Sequence, residues 1–159
     1  MVVCNKAPAQ CKEENGLRGF GCELGVVRFH CTTRVSQSQP DGDVGGSLVT
    51  VTDGNSAQKL HLFWDDLLGP SGANAKTVAA SAKNLAAADA TKASDLDVGH
   101  WVAEGVQNAK DSVYTGPVGA GAGPFTLTED YKNAAKALAK KQVALAGARL
   151  ANLLNSELK

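Results

Sequence analysis

Past Cys31 the chain has no cysteine at all. The four it has, Cys4, Cys11, Cys22 and Cys31, crowd into the opening stretch at spacings that form none of the paired C-x-x-C knuckles of a structural zinc ribbon. Two disulfides or four thiols fit that spacing equally well. Charge of one sign is lacking too: 16 lysines and arginines balance 16 aspartates and glutamates, so no long-range field draws the molecule onto nucleic acid or an anionic membrane. Any affinity for phosphate must therefore be local. Aromatic residues make up only 5% of the chain, and no apolar run approaches the roughly 20 residues of a membrane span. That composition predicts a soluble chain without a membrane partner. The start, Met1-Val2-Val3-Cys4-Asn5-Lys6, holds no apolar segment of secretory length, so nothing in it directs export.

What remains is 159 residues, enough for one respectable core and too few to divide comfortably into two domains. Up to about Gly25 neither helical nor strand periodicity emerges, and Pro8, Asn15, Gly16, Gly19, Gly21 and Gly25 interrupt the chain repeatedly. Residues 32–46 read as turn chemistry. Ser47 to Thr52 then alternates like a strand, and Asp53-Gly54-Asn55 turns it into a short hairpin. Beyond Leu60 the pattern is helical: 61–68 up to Gly69-Pro70, an alanine-rich stretch over 74–90, and a helix from about Asp97. On that last helix Val98, Trp101, Val102, Val106, Ala109 and Val113 recur at intervals of three and four, which predicts one apolar face. Residues 116–124 form a glycine-rich connector. A final helix begins near Thr128, with Glu129 and Asp130 suited to its first turn and a buried stripe expected at Leu138, Val143, Ala146, Leu150, Leu153 and Leu154. The class is mainly α with one short β-hairpin.

The segment Leu60-His61-Leu62-Phe63-Trp64-Asp65-Asp66-Leu67-Leu68-Gly69 carries the chemistry. One helical turn separates His61 from Asp65, so an imidazole nitrogen and a carboxylate oxygen can converge on one ion. The same spacing also describes an ordinary contact between neighbours on a helix surface. Spacing alone does not choose between them. Trp64 and Trp101 offer aromatic faces that could stack on unpaired bases, but their helical setting favours core packing. His100 reads as a structural or surface residue. Arg149 with Lys136, Lys140 and Lys141 reads as a solvated helix face.

The neighbours of the pair are more specific than the pair. L-H-x-x-W-D-x-x-L-G resembles the second zinc motif of the S1/P1 nucleases, zinc-dependent single-strand nucleases of fungi, plants and bacteria. Upstream, Phe29-His30-Cys31-Thr32-Thr33-Arg34 and Pro40-Asp41-Gly42-Asp43-Val44-Gly45-Gly46 are similar to the family's Q-P-L-H segment and following glycine pair. Downstream, Trp101 to Tyr114 and Gln142 to Asn155 resemble its tryptophan-to-tyrosine helix and its final helix. The resemblance implies a helical phospholipase C/nuclease-type fold, present here in its C-terminal part over residues 26–159, with 1–25 a divergent or poorly folded N-terminal segment. It implies zinc as cofactor, held by His30, His61 and Asp65 with a position open for water or phosphate. Asp66, next to the last of these, reads equally as a substrate contact or ligand-orienting group and as a solvated carboxylate. The resemblance also implies single-stranded nucleic acid or nucleotides as substrate, and export in the relatives.

Two departures limit what is carried over. Where the family has an H-x-x-x-D motif before the histidine matched by His30, this chain has Phe20 and Leu24, which bind no metal. Two of the family's three zinc ions thus lack ligands, so an impaired phosphodiester hydrolase prone to self-association is expected. The alternative is a catalytically inactive helical module that binds zinc or nucleotide. The family's arginine and asparagine around the glycine pair are Val44 and Ser47 here.

Overall fold

The structure is a computed structural model and describes residues 17–19, 32–34, 42–69 and 74–158. His30, Phe20, Leu24 and all four cysteines lie outside the described residues. Strands β1 (Leu17–Gly19) and β2 (Thr32–Arg34) pair antiparallel, Arg18 opposite Thr33, in stretches whose sequence shows no strand periodicity. Three residues are too few to reveal a period of two. The expected hairpin forms from β3 (Thr50–Thr52) and β4 (Ala57–Lys59), with Val51 opposite Gln58. Its turn is fixed by the Asp53 carboxylate, which accepts from the Asn55 and Ser56 amides at 2.9 Å. The strand is shorter than its alternation suggests, because Ser47 and Leu48 turn back instead of extending, and Leu48 is exposed.

A third strand, unforeseen in the glycine-rich sequence before it, is β5 (Phe125–Thr126), which joins β3 in parallel with Val51 opposite Phe125. The order β4-β3-β5 makes Val51 central, and it is fully buried. Helix α1 (Leu60–Asp65) starts directly from β4 and ends earlier than expected. Residues 66–68 form a turn closed by Gly69 N–H donating to the Asp66 carbonyl at 3.1 Å, and Gly69 has a φ of 128° that disfavours any side chain.

The alanine-rich stretch is two helices where one was expected, α2 (Ala75–Ala82) and α3 (Ala90–Ser94). Each has its own N-cap, the Asn74 side chain accepting from Thr77 N–H and the Asp89 side chain from Lys92 N–H. None of the α2 residues is buried, so propensity holds that helix alone, and propensity without packing does not carry it across 83–89. Helix α4 (Val98–Asn108) starts as expected, capped by Asp97, and runs on into a π-helical turn over Ala109–Val113. Its predicted face is buried only in that turn, at Ala109 and Val113, while Val98 is exposed.

Helix α5 (Glu129–Glu157) begins at the Thr128 cap and, of the stripe expected, buries Ala146 and packs Leu138 against the core, while most of its inward face is different. Tyr131, Ala135, Ala139, Gln142, Leu145, Ala146 and Arg149 face inward, whereas Val143, Leu150 and Leu154 are exposed. Three alanines on the inner face let α5 approach its neighbours closely, so the large aliphatic residues of the amphipathic pattern turn outward. Arg149, expected in solvent with the lysines, is buried. Its Nη2 lies 2.9 Å from Glu104 Oε2, its Nε donates to the Lys92 carbonyl, and its guanidinium sits 5.2 Å from the Trp101 ring centroid. Lys92 Nζ reaches the other Glu104 oxygen at 2.7 Å, so one carboxylate ties α3, α4 and α5 together.

The main core joins the sheet, α1 and the start of α5 through Val49, Val51, Leu60, Trp64, Ala109, Val113, Val118, Leu127, Tyr131 and Ala135. Mainly α architecture is what the chain adopts. Among the described residues no helix is long and apolar enough to cross a membrane.

Candidate metal and phosphate site

Helix α1 is six residues long and two-faced. Leu60 and Trp64, one turn apart, are buried, so His61 and Asp65 share the adjoining face and stay partly open, their side chains 30% and 31% exposed. His61 Nε2 lies 3.4 Å from Asp65 Oδ2. Two donors of the kind zinc prefers thus stand together at a solvent boundary, on a helix too short to hold itself.

Tertiary contacts supply what the short helix lacks. Trp64 Nε1 donates to the Tyr131 hydroxyl at 3.3 Å, and that hydroxyl donates to the Val113 carbonyl at 2.8 Å. Phe63 meets Trp64 edge-on with ring centroids 6.1 Å apart, and Trp64 meets Tyr131 edge-on at 6.3 Å. Burial holds the Tyr131 phenol protonated well above its ordinary range, against a smaller opposing effect of the Trp64 hydrogen bond. Trp64 is accordingly a packing residue that anchors Asp65 from the position before it. Trp101 is likewise a structural residue, donating to the Asp95 carbonyl at 2.7 Å under the Arg149 guanidinium.

From the other side, the loop 42–48 packs on the first turn of α1. The Gly45 carbonyl is 3.2 Å from His61 Nδ1, and the Gly46 carbonyl accepts from the His61 amide at 3.4 Å. Backbone angles in that loop are unusual. Gly42, Val44, Gly45 and Gly46 have φ of 88°, 53°, 62° and 84°, and Val44 is β-branched, a residue type that rarely enters the left-handed region. Asp43 between them is fully buried. The sequence marked the glycine pair only by its likeness to a motif; no local signal announced that its carbonyl would meet a histidine 16 positions on.

Asp66, read as a substrate contact or a solvated carboxylate, is exposed at the C-terminal end of α1, with its amide donating to the Leu62 carbonyl. His30 lies outside the described residues. Among the described residues no group of three or more His, Cys, Asp or Glu side chains could hold a metal; His61 and Asp65 come together as a pair. His100 is on the surface as expected. The Asp95 carboxylate, 2.8 Å from its Nδ1, raises its pKa by hydrogen bonding and charge.

The family model described as S1/P1 Nuclease matches residues 29–159. No curated protein and no solved structure matches the chain.

Proposed function

The chain belongs to the S1/P1 nuclease family, a family of nuclease-type hydrolases, and from that premise we infer that it binds zinc at His61 and Asp65 to act on phosphodiesters. The observation that supports this reading is the approach of His61 Nε2 to Asp65 Oδ2, 3.4 Å apart on one face of a helix held from both sides. The third ligand is His30, carried over from the motif likeness and contained in the matched span 29–159. Zinc so held would polarise a phosphate oxygen and lower the pKa of water at its open position.

The chain's own residues have narrower tasks. His61 and Asp65 bind the ion, Trp64 and Tyr131 keep their helix from turning, and Asp66 is exposed one position on, where it can meet substrate. The substrate class is single-stranded DNA or RNA, with 3′-nucleotides as the smallest form. Turnover is low, because Phe20 and Leu24 stand where further zinc ligands would be and the balanced charge attracts no polyanion at long range.

Elemental analysis of zinc-loaded protein tests the reading. About one zinc per chain is expected, from one set of three ligands with one open position. Close to three tightly held ions, or unchanged content in His61→Ala, would overturn the ligand assignment. Zinc-supplemented protein should hydrolyse single-stranded DNA and a 3′-nucleotide slowly, and His61→Ala should remove that activity. One zinc with no hydrolysis would favour the second reading, an inactive zinc-binding module.

A further inference from the structure

The outer face of α5 has a period that its own fold does not use. Lys140, Val143, Gly147, Leu150, Leu154 and Glu157 follow one another at alternating intervals of three and four, the spacing of a seam along which two helices pack side by side. All six are exposed, Val143 and Leu150 by 43% and Leu154 by 47%, while Leu145 and Arg149 turn inward from the other side of the helix. Gly147 is the odd member. Glycine weakens a helix interior relative to alanine, yet a Cβ at this position would meet nothing within 4 Å, so among the described residues nothing requires the room it leaves.

We propose that this face is the interface of a homodimer, in which the α5 helices of two copies pack antiparallel. Setting Gly147 against the partner's Leu150 fixes the register. It brings Val143 opposite the partner's Leu154 and Lys140 opposite the partner's Glu157, and two-fold symmetry repeats each pairing. Leucine fills the room that glycine leaves, aliphatic side chains meet along the middle, and opposite charges close both ends. A parallel pair in register would set lysine on lysine, glutamate on glutamate and glycine on glycine, which is two repulsions and a void. Charge therefore selects both the partner and its direction. The seam is roughly 26 Å long at 1.5 Å per residue and its apolar middle is narrow, so association is reversible and depends on concentration. The pairing needs neither metal nor substrate and stands independently of the metal reading above.

Carbodiimide coupling of the full wild-type chain tests the register, because it joins a lysine amine to a carboxylate only where the two touch. Within one copy Lys140 and Glu157 stand roughly 26 Å apart along a single helix, so a Lys140–Glu157 cross-link must join two copies. Mass spectrometry of the coupled dimer should find that cross-link. A dimer coupled only at other positions would overturn the proposal, and so would a strict monomer at every concentration in sedimentation velocity. Charge reversal gives a second measurement. At low salt Lys140→Glu should raise the dimer dissociation constant about tenfold, since two attractive contacts become repulsive, and Lys140→Glu with Glu157→Lys should return it close to the wild-type value. Both positions are exposed, and circular dichroism should show the fold unchanged in each variant. A parallel pair meets like charges before and after either change, so an unaltered dissociation constant in Lys140→Glu would overturn the antiparallel arrangement. A double variant as weak as the single one would overturn it equally.

Discussion

Two residues deep in the molecule, Trp64 and Tyr131, do for the candidate site what its own helix cannot. Tyr131→Phe deletes a hydroxyl that serves at once as acceptor for Trp64 Nε1 and donor to the Val113 carbonyl. Removing that partner from both groups should cost about 1–3 kcal/mol, measured as a lower denaturant midpoint with unchanged slope. Val44 predicts the opposite sign. At a φ of 53° its β-branched side chain opposes the backbone, whereas asparagine tolerates that region, so Val44→Asn should stabilise by up to about 1 kcal/mol in the same assay. Unchanged or lower stability would show that the exposed valine side chain makes up for its backbone. Residue-scale chemistry was only partly legible. The contact of His61 with Asp65 was readable from their spacing of four, whereas what it is for was not, and the pair stood out only by the motif around it. The Gly45 carbonyl did not, because a backbone group carries no signature and its partner is distant in sequence.

At the scale of elements, the tie between α3, α4 and α5 is set by Glu104, whose carboxylate is 15% exposed and meets Lys92 and Arg149. Burial pushes its pKa up, but the hydrogen bonds and charges of those two cations outweigh it and leave the group below its ordinary value. A carboxyl depressed by folding stabilises above its unfolded pKa and ceases to as the pH falls through the folded value. Acid titration followed by circular dichroism should therefore show Glu104→Gln losing part of the wild-type stability drop below the ordinary glutamate range. Glu104→Ala strands the buried Arg149 charge and should cost about 3 kcal/mol or more at neutral pH, whereas Glu104→Ala with Arg149→Met should recover most of that loss. Sequence reading placed Arg149 in solvent because a lone arginine on a lysine-bearing helix looks solvated. Its partner is 45 positions away on another helix, and nothing local reveals it. The starts of α4 and α5 were readable for the converse reason, since Asp97 and Thr128 cap within three residues. The break between α2 and α3 was not, because alanine favours helix whether or not there is a surface to pack on.

For the whole molecule, apolar surface is distributed unevenly. Along the outer side of α5, Val143, Leu150, Leu154 and Leu158 are exposed by 43%, 43%, 47% and 80%. Such a stripe favours association, so sedimentation velocity should show a species heavier than the monomer growing with concentration, and Leu150→Lys with Leu154→Lys should diminish it. A strict monomer at every concentration would dismiss that expectation. Helix α2, with no buried residue, should exchange its amide hydrogens far faster than α5 in a hydrogen-exchange experiment. Mainly α character was legible at this scale because it rests on long stretches. The small sheet was legible only as a hairpin, since its third strand is two residues held by pairing across more than seventy positions.

That third strand sets an order of events during synthesis. Thr50 N–H donates to the Ala122 carbonyl and Leu127 N–H to the Thr52 carbonyl, so the hairpin from which α1 springs is completed by chain made long after it. Tyr131, which fixes Trp64, is later still. A nascent chain that has emerged through α4 already carries His61 and Asp65 but has neither the strand nor the hydroxyl that hold their helix in place. Residues 125–131 therefore complete the support of the His61–Asp65 pair only after those two residues left the ribosome some sixty positions earlier.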